Sequence, residues 1–210
     1  MNSDFLNSIE FRFAKMLNNF GSVLLIDNYD SFTFNLVQML EEAGCQHLDV
    51  VKHDEVTLES VKDYDKIVFS PGPDLPYTAP IMADVLKVYG SSKNILGVCL
   101  GHQAIGTFYG AQLIQLPNVI HGIEKSIEWN NPEESLFRDI SKPMAVGVYH
   151  SWVLEEQNFP PELEIIAKSS DGLIMAIRHK TNSVFGIQFH PESYLTPMGS
   201  QLISNWLKST

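Results

Sequence analysis

The sequence is short of cysteine, short of positive charge and without a long apolar run. Two cysteines in 210 residues, Cys45 and Cys99, are too few for a disulfide framework. Lys and Arg number 14 against 25 Asp and Glu, a formal net charge of -11. A chain so poor in cations lacks the basic face that neutralises phosphates, so no nucleic-acid partner is expected. No stretch approaches the ~18 apolar residues needed to cross a bilayer, so no membrane association is expected. Residues 1–21 are not read as a secretory signal either, because Asp4 and Glu10 interrupt them and no continuous apolar segment is present. Cytoplasmic residence is the expectation that follows. The seven histidines are scattered without ligand spacing, so no metal site is expected.

What is present is a length and an apolar fraction, 44%, that suit one large domain with a buried core. From Val23 onward, short apolar runs alternate with helical patterns. Strands are expected at 23–26, 48–51, 66–69 and 94–98, and helices at 31–43, 80–89 and 102–109. Asp30 and Ser31 are both candidates to cap the first helix, and Gly44 stops it. Such alternation predicts an α/β fold, a mostly parallel sheet with helices on both faces. The second half changes character. Short strands near 126–129, 144–148, 163–167, 173–177 and 184–189, joined by turns such as Asp171-Gly172, predict a smaller antiparallel layer or extension. A closing helix is expected at 198–207. Residues 1–22 stand apart as an extension without an assigned role. Phe5, Ile9, Phe13 and Met16 fall near helical spacing, which leaves a short amphipathic helix and a poorly ordered segment both open.

The clearest chemical signal is Gly97-Val98-Cys99-Leu100-Gly101, at the end of an apolar strand and the start of a helix. This is the nucleophile-elbow pattern with cysteine as nucleophile. The glycines suit a strand-to-helix turn that leaves little room for Cβ atoms. The turn presents sulfur at the carboxyl edge of the sheet, and the positive end of the following helix favours thiolate. Cys45, just after a helix-terminating glycine, is read as inert. A thiolate needs a proton shuttle, and His190-Pro191-Glu192 offers one. Residues i and i+2 of an extended segment project to one side, and Pro191 biases His190 toward that conformation. Glu192 then reaches one imidazole nitrogen while the other faces sulfur, the logic of nucleophile, base and orienting carboxylate. Ser70-Pro71-Gly72-Pro73-Asp74 follows another strand. There Gly72 can offer a backbone N–H to pair with that of Leu100 as an oxyanion site, each donor worth about 10²–10³ in rate.

Five ordered segments together resemble the class I glutamine amidotransferases: DNYDSFT at 27–33, SPGP at 70–73, GVCLGHQ at 97–103, YHS at 149–151 and QFHPES at 188–193. The first looks specifically like the amidotransferase component of anthranilate synthase and of its relative, 4-amino-4-deoxychorismate synthase. The resemblance covers roughly 23–207 and places an amidotransferase domain at 23–210. It implies glutamine hydrolysis through a thioester on Cys99, with His190 relaying protons and Glu192 orienting it. Gly72 and Leu100 would form the oxyanion hole, while Gln103 and the backbone at Ser151 and Trp152 would hold the amino-acid end of glutamine. It further implies a chorismate-binding synthase subunit as partner and no cofactor or metal for the amidase step; magnesium belongs to the synthase.

Four positions depart from that pattern. Asp74 replaces a frequent glycine, Ile123 a lysine, Val148 an arginine, and Trp152 a smaller apolar residue. His102 reads as a packing and hydrogen-bonding residue, and His121 and His150 as structural or rim residues. Two rival functions are a free-standing cysteine hydrolase and a catalytically idle regulatory subunit. Gln103 with Tyr149-His150-Ser151 argues against the first, and the complete Cys-His-Glu set against the second.

Overall fold

The protein is described by a computed structural model covering residues 20–209, so the expected extension at 1–22 lies, through residue 19, outside the described residues. The strands are β1 (Ser22–Asp27), β2 (His47–Lys52), β3 (Lys66–Phe69), β4 (Asn94–Val98), β5 (Leu113–Gln115), β6 (Ile123–Glu128), β7 (Met144–Val148), β8 (Trp152–Leu154), β9 (Leu163–Ser169), β10 (Ile174–His179) and β11 (Val184–Ile187). The helices are α1 (Thr33–Glu42), α2 (Leu58–Val61), α3 (Ile81–Tyr89), α4 (Leu100–Phe108) and α5 (Gly199–Lys208).

Nine strands form one sheet in the order β2-β1-β3-β4-β11-β10-β9-β6-β7. The first five run parallel, and the remainder pair antiparallel. The α/β class and the helical crossovers agree with the alternation in the sequence. Of the two forms left open for the second half, layer or extension, the extension forms: the antiparallel strands continue the parallel sheet edgewise through β11, and among the described residues β5 and β8 make a separate two-stranded ribbon. The central strands β3, β4 and β11 are buried at every position, as a parallel sheet covered on both faces requires.

The antiparallel half curls. β7 lies at the far edge of the sheet, four strands from β11, yet Gly147 bridges to His190 just beyond the end of β11. The His190 amide donates to the Gly147 carbonyl at 3.0 Å. Strands β11 to β7 therefore wrap around a common interior, filled by Ile127, Phe137, Val146, Val148, Ile187 and Phe189.

Local chemistry accounts for the element ends. Neither Asp30 nor Ser31 caps α1, whose N-cap is Phe32 without a side-chain cap bond; the Asp30 carboxylate instead accepts from the Phe32 amide at 2.8 Å, closing the turn that leads into the helix. Gly44, at φ +104, ends the helix with its amide on the Glu41 carbonyl. Pro80 sits just ahead of α3 with φ already at -60°. Helix α4 begins at Leu100, two residues before the expected 102, because the turn at Cys99 feeds directly into it.

That turn explains the two flanking glycines. A Cβ on Gly97 would lie 2.4 Å from the carbonyl carbon and oxygen of Gly101, and one on Gly101 would lie 2.6 Å from the Phe69 carbonyl oxygen. Both obstacles are backbone and cannot rotate away. Gly97→Ala should therefore cost about 1–3 kcal/mol through forced backbone displacement. The check is thermal denaturation followed by circular dichroism, with a fall of several degrees in Tm expected.

Candidate active site

Cys99 occupies the link between β4 and α4 with φ 51° and ψ -98°, a region that non-glycine residues rarely adopt. Its side chain stands at the N-terminus of α4, whose first-turn amides lack helical partners and whose dipole is positive there. Strand β11 is the parallel neighbour of β4, pairing Ile187 with Val98. The chain leaving β11 therefore runs beside the elbow, which is how residues 91 positions downstream reach Cys99.

His190 is 3% exposed, and its Nδ1 lies 2.6 Å from Glu192 Oε1, whose side chain has no exposure. Nε2 has no hydrogen-bond partner of regular geometry, but the sulfur is near enough to act on the ring. Burial alone would lower the His190 pKa; the charge and hydrogen bond of Cys99, then Glu192, reverse this and raise it well above its ordinary value. The sulfur on one side and the Glu192 oxygen on the other thus favour the protonated ring. Phe32 and Tyr149 stand around it with ring centroids 6.1 and 4.9 Å away. Thr196 fixes the backbone: its hydroxyl donates to the His190 carbonyl at 2.7 Å and accepts from the Gly147 amide at 2.9 Å.

An open cleft of about 540 Å³ lies above the sulfur. Gly72, Cys99, Leu100, Gln103, Ser151, Trp152 and His190 all line it, with Glu192 behind His190. The eight candidate catalytic and substrate-binding residues are thus brought to one place. The segment at 70–72 is tied to β1 by Asn28, whose amide donates to the Ser70 hydroxyl at 2.8 Å and whose side chain donates to the Ser70 carbonyl at 2.9 Å. A Cβ on Gly72 would lie 2.5 Å from a Leu100 side-chain methyl and 3.0 Å from the Asn28 carbonyl oxygen, so glycine suits the close packing of this segment against both. Two further cavities, of about 590 and 630 Å³, lie over the antiparallel strands and beside Trp152, and neither is lined by cysteine or histidine.

Some residues hold surprises. The sequence reading overlooked Gln188, which is fully buried and donates from Nε2 to the Cys99 sulfur at 3.6 Å. Its signal was available, because Gln188 precedes His190 by two residues and strand alternation puts both on one side. His102 packs as expected, with no exposure, but neither ring nitrogen forms a regular hydrogen bond. Burial pushes its pKa down to about 3. His150, read as structural or rim, lines the cleft but is only 4% exposed, and burial, then the positive charge of His190, push its pKa down to about 4. Among the departures, Val148 is fully buried in β7, Trp152 joins the cleft wall, and Asp74 reaches the cleft from an exposed loop position. Ile123 is 49% exposed at the start of β6.

Comparison with known proteins gives a concordant result. The family model described as "Glutamine amidotransferase class-I" matches residues 24–210. The chain is 43% identical over 189 residues to "Anthranilate synthase component 2" of Pyropia yezoensis, covering 89% of this chain and 98% of that one. It is also 43% identical over 189 residues to "Bifunctional protein TrpGD" of Thermotoga maritima, covering 88% of this chain and 32% of that longer protein. Among solved structures, a glutamine amidotransferase from Thermotoga maritima superposes with a TM-score of 0.70 at 15% identity, over 90% of this chain and 98% of that one, a likeness of fold.

The two neutral buried imidazoles make stability depend on acid. Their folded pKa values, about 3 for His102 and about 4 for His150, lie below the ~6.5 of an unfolded histidine. Between those limits these two sites bind more protons in the unfolded chain, so their contribution to stability is full above pH ~6.5 and falls as pH drops. Each group contributes a slope approaching ~1.4 kcal/mol per pH unit. Urea denaturation from pH 7 to pH 5 should show this decline, and His102→Leu should remove about one proton's share of it.

Proposed function

This chain belongs to the class-I glutamine amidotransferases, and from that premise we propose that it hydrolyses glutamine through a thioester on Cys99 and supplies the ammonia to a chorismate-binding synthase subunit that makes anthranilate, in tryptophan biosynthesis. The observation that carries the reading is the convergence of sulfur, imidazole and carboxylate at one cleft that Gly72 and Leu100 also line. The relatives named anthranilate synthase component 2 support the acceptor chemistry. The bifunctional relative, of which this chain matches 32%, supports work in concert with a further catalytic unit. Among the described residues no helix is long and apolar enough to cross a membrane, which fits the proposed cytoplasmic site of action.

In this mechanism the substrate's carboxamide carbon is attacked by the Cys99 thiolate, already paired with the His190 imidazolium. Charge develops on the carboxamide oxygen, and the amides of Gly72 and Leu100 receive it. His190 gives its proton to the leaving nitrogen, ammonia departs, and an acyl thioester remains. The imidazole then takes a proton from water, which attacks the thioester, releases glutamate and restores the sulfur. Glu192, on Nδ1, keeps the ring in the orientation that both transfers need. At the amino-acid end, both Gln103 amide hydrogens are engaged by the protein, on the Trp152 carbonyl at 2.9 Å and Gln188 Oε1 at 3.2 Å. Gln103 therefore offers the substrate only its oxygen, an acceptor suited to an α-ammonium group.

The test combines this chain with its synthase, chorismate and either glutamine or ammonium salt. Cys99→Ser should lower glutamine-dependent synthesis by at least about 10³-fold, within the span that nucleophile loss produces, while ammonia-dependent synthesis persists. Fluorescence and chromatography of the product distinguish anthranilate from aminodeoxychorismate. Loss of both activities would sink the ammonia-supply role.

A further inference from the structure

The triad leaves one polar contact to the sulfur without a role. Gln188 is fully buried and its carboxamide nitrogen lies 3.6 Å from Cys99 Sγ. Its backbone is pinned separately, the amide donating to the Met175 carbonyl of β10 at 2.9 Å, so the side chain is not needed to hold the strand. Its carboxamide oxygen accepts from Gln103 Nε2 at 3.2 Å, and the same Gln103 nitrogen donates to the Trp152 carbonyl at 2.9 Å. The four groups form a chain: Trp152 C=O, Gln103, Gln188, Cys99.

The polarity of that chain is forced from its far end. A backbone carbonyl only accepts hydrogen bonds, so Gln103 must turn its NH₂ toward Trp152. The second hydrogen of that NH₂ then points at Gln188, which must answer with oxygen. Nothing is left for the sulfur but the Gln188 NH₂. An amide that could otherwise flip by half a turn is thereby locked with its donor on sulfur. A donor on sulfur favours thiolate over thiol, because hydrogen bonding to the charged form stabilises that form. Full burial strengthens the interaction, since no water competes for the sulfur on that side.

We propose that Gln188 is a further catalytic residue, which holds the Cys99 sulfur in its attacking form through an N–H whose direction is set by the Trp152 carbonyl by way of Gln103. The role rests on the reading of Cys99 as nucleophile, and it assigns the sulfur two supports: His190, which exchanges protons during the reaction, and Gln188, which does not. Gln188→Met keeps the length and volume of the side chain and removes the donor.

The measurement is the rate of Cys99 alkylation by iodoacetamide as a function of pH, read at that residue by peptide mass spectrometry so that Cys45 does not interfere. This reaction requires a thiolate but neither glutamine nor a synthase. In Gln188→Met the midpoint should move up by about one pH unit, a roughly tenfold loss of rate on the acid side of the profile. A purely structural role would change the melting temperature and leave the midpoint where it was. Superimposable profiles in the unsubstituted and Met proteins would overturn the assignment while leaving the nucleophile intact. A Cys99 that alkylates in the unsubstituted protein only like an ordinary exposed thiol would instead overturn the reading of the site. Should the Met variant fail to fold, ¹⁵N-labelled unsubstituted protein decides: the Gln188 carboxamide proton must titrate with the same midpoint as the alkylation rate, and a resonance that stays fixed overturns the proposal.

Discussion

The rest of the site depends on a steric constraint: β3, β4 and the first turn of α4 are packed so closely that positions 97 and 101 have no space for a side chain. The Gly101 backbone sits where a Cβ of Gly97 would be, and the Phe69 backbone sits where a Cβ of Gly101 would be. This crowding forces the chain to leave β4 and enter α4 with a single residue between them. That residue is raised to the rim of the sheet, at the positive end of the helix, because there is nowhere else for it to go. The chemistry of sulfur at this point follows from packing before any partner side chain is considered.

The two halves of the sheet then divide the labour. The parallel half contributes the elbow and, through the loop after β3, Gly72. The antiparallel half curls until Gly147 meets His190, and Thr196 ties the two backbones together. The base and its carboxylate are consequently mounted on a closed wall rather than a free loop. Burying a histidine beside a glutamate would ordinarily be expensive, but here Glu192 on one side of the ring and the sulfur on the other favour its protonated form. At His150 and His102, where no carboxylate or sulfur is bonded to the ring, burial prevails and both stay neutral.

Much of this arrangement was legible in the letters, and the parts that were not share a cause. Strands β1, β3 and β4 are continuous apolar runs, and α1 carries its own stop at Gly44, so local pattern sufficed. Cys99 between glycines and His190 two residues from Glu192 encode their geometry in spacing alone. Strands β5 and β8 escaped notice because three residues cannot show a period, and their pairing joins positions about 40 apart. The curl of the antiparallel half is set by a contact between Gly147 and His190 that no local pattern announces. The bond from Gln188 to sulfur spans 89 positions, although alternation from His190 would have shown its side of the strand. His102 packs behind the elbow against Gly186, whose backbone contact does not offset the burial of the ring.

The backbone angle at Cys99 carries an evolutionary consequence. A φ of 51° with ψ -98° costs a residue with a Cβ on the order of 1–3 kcal/mol, and glycine much less. Selection for stability alone would therefore drift this position toward glycine and a sturdier, inert protein. Only the demand for a sulfur at that spot opposes the drift, so silent descendants of such a chain should arise readily and be robust when they do.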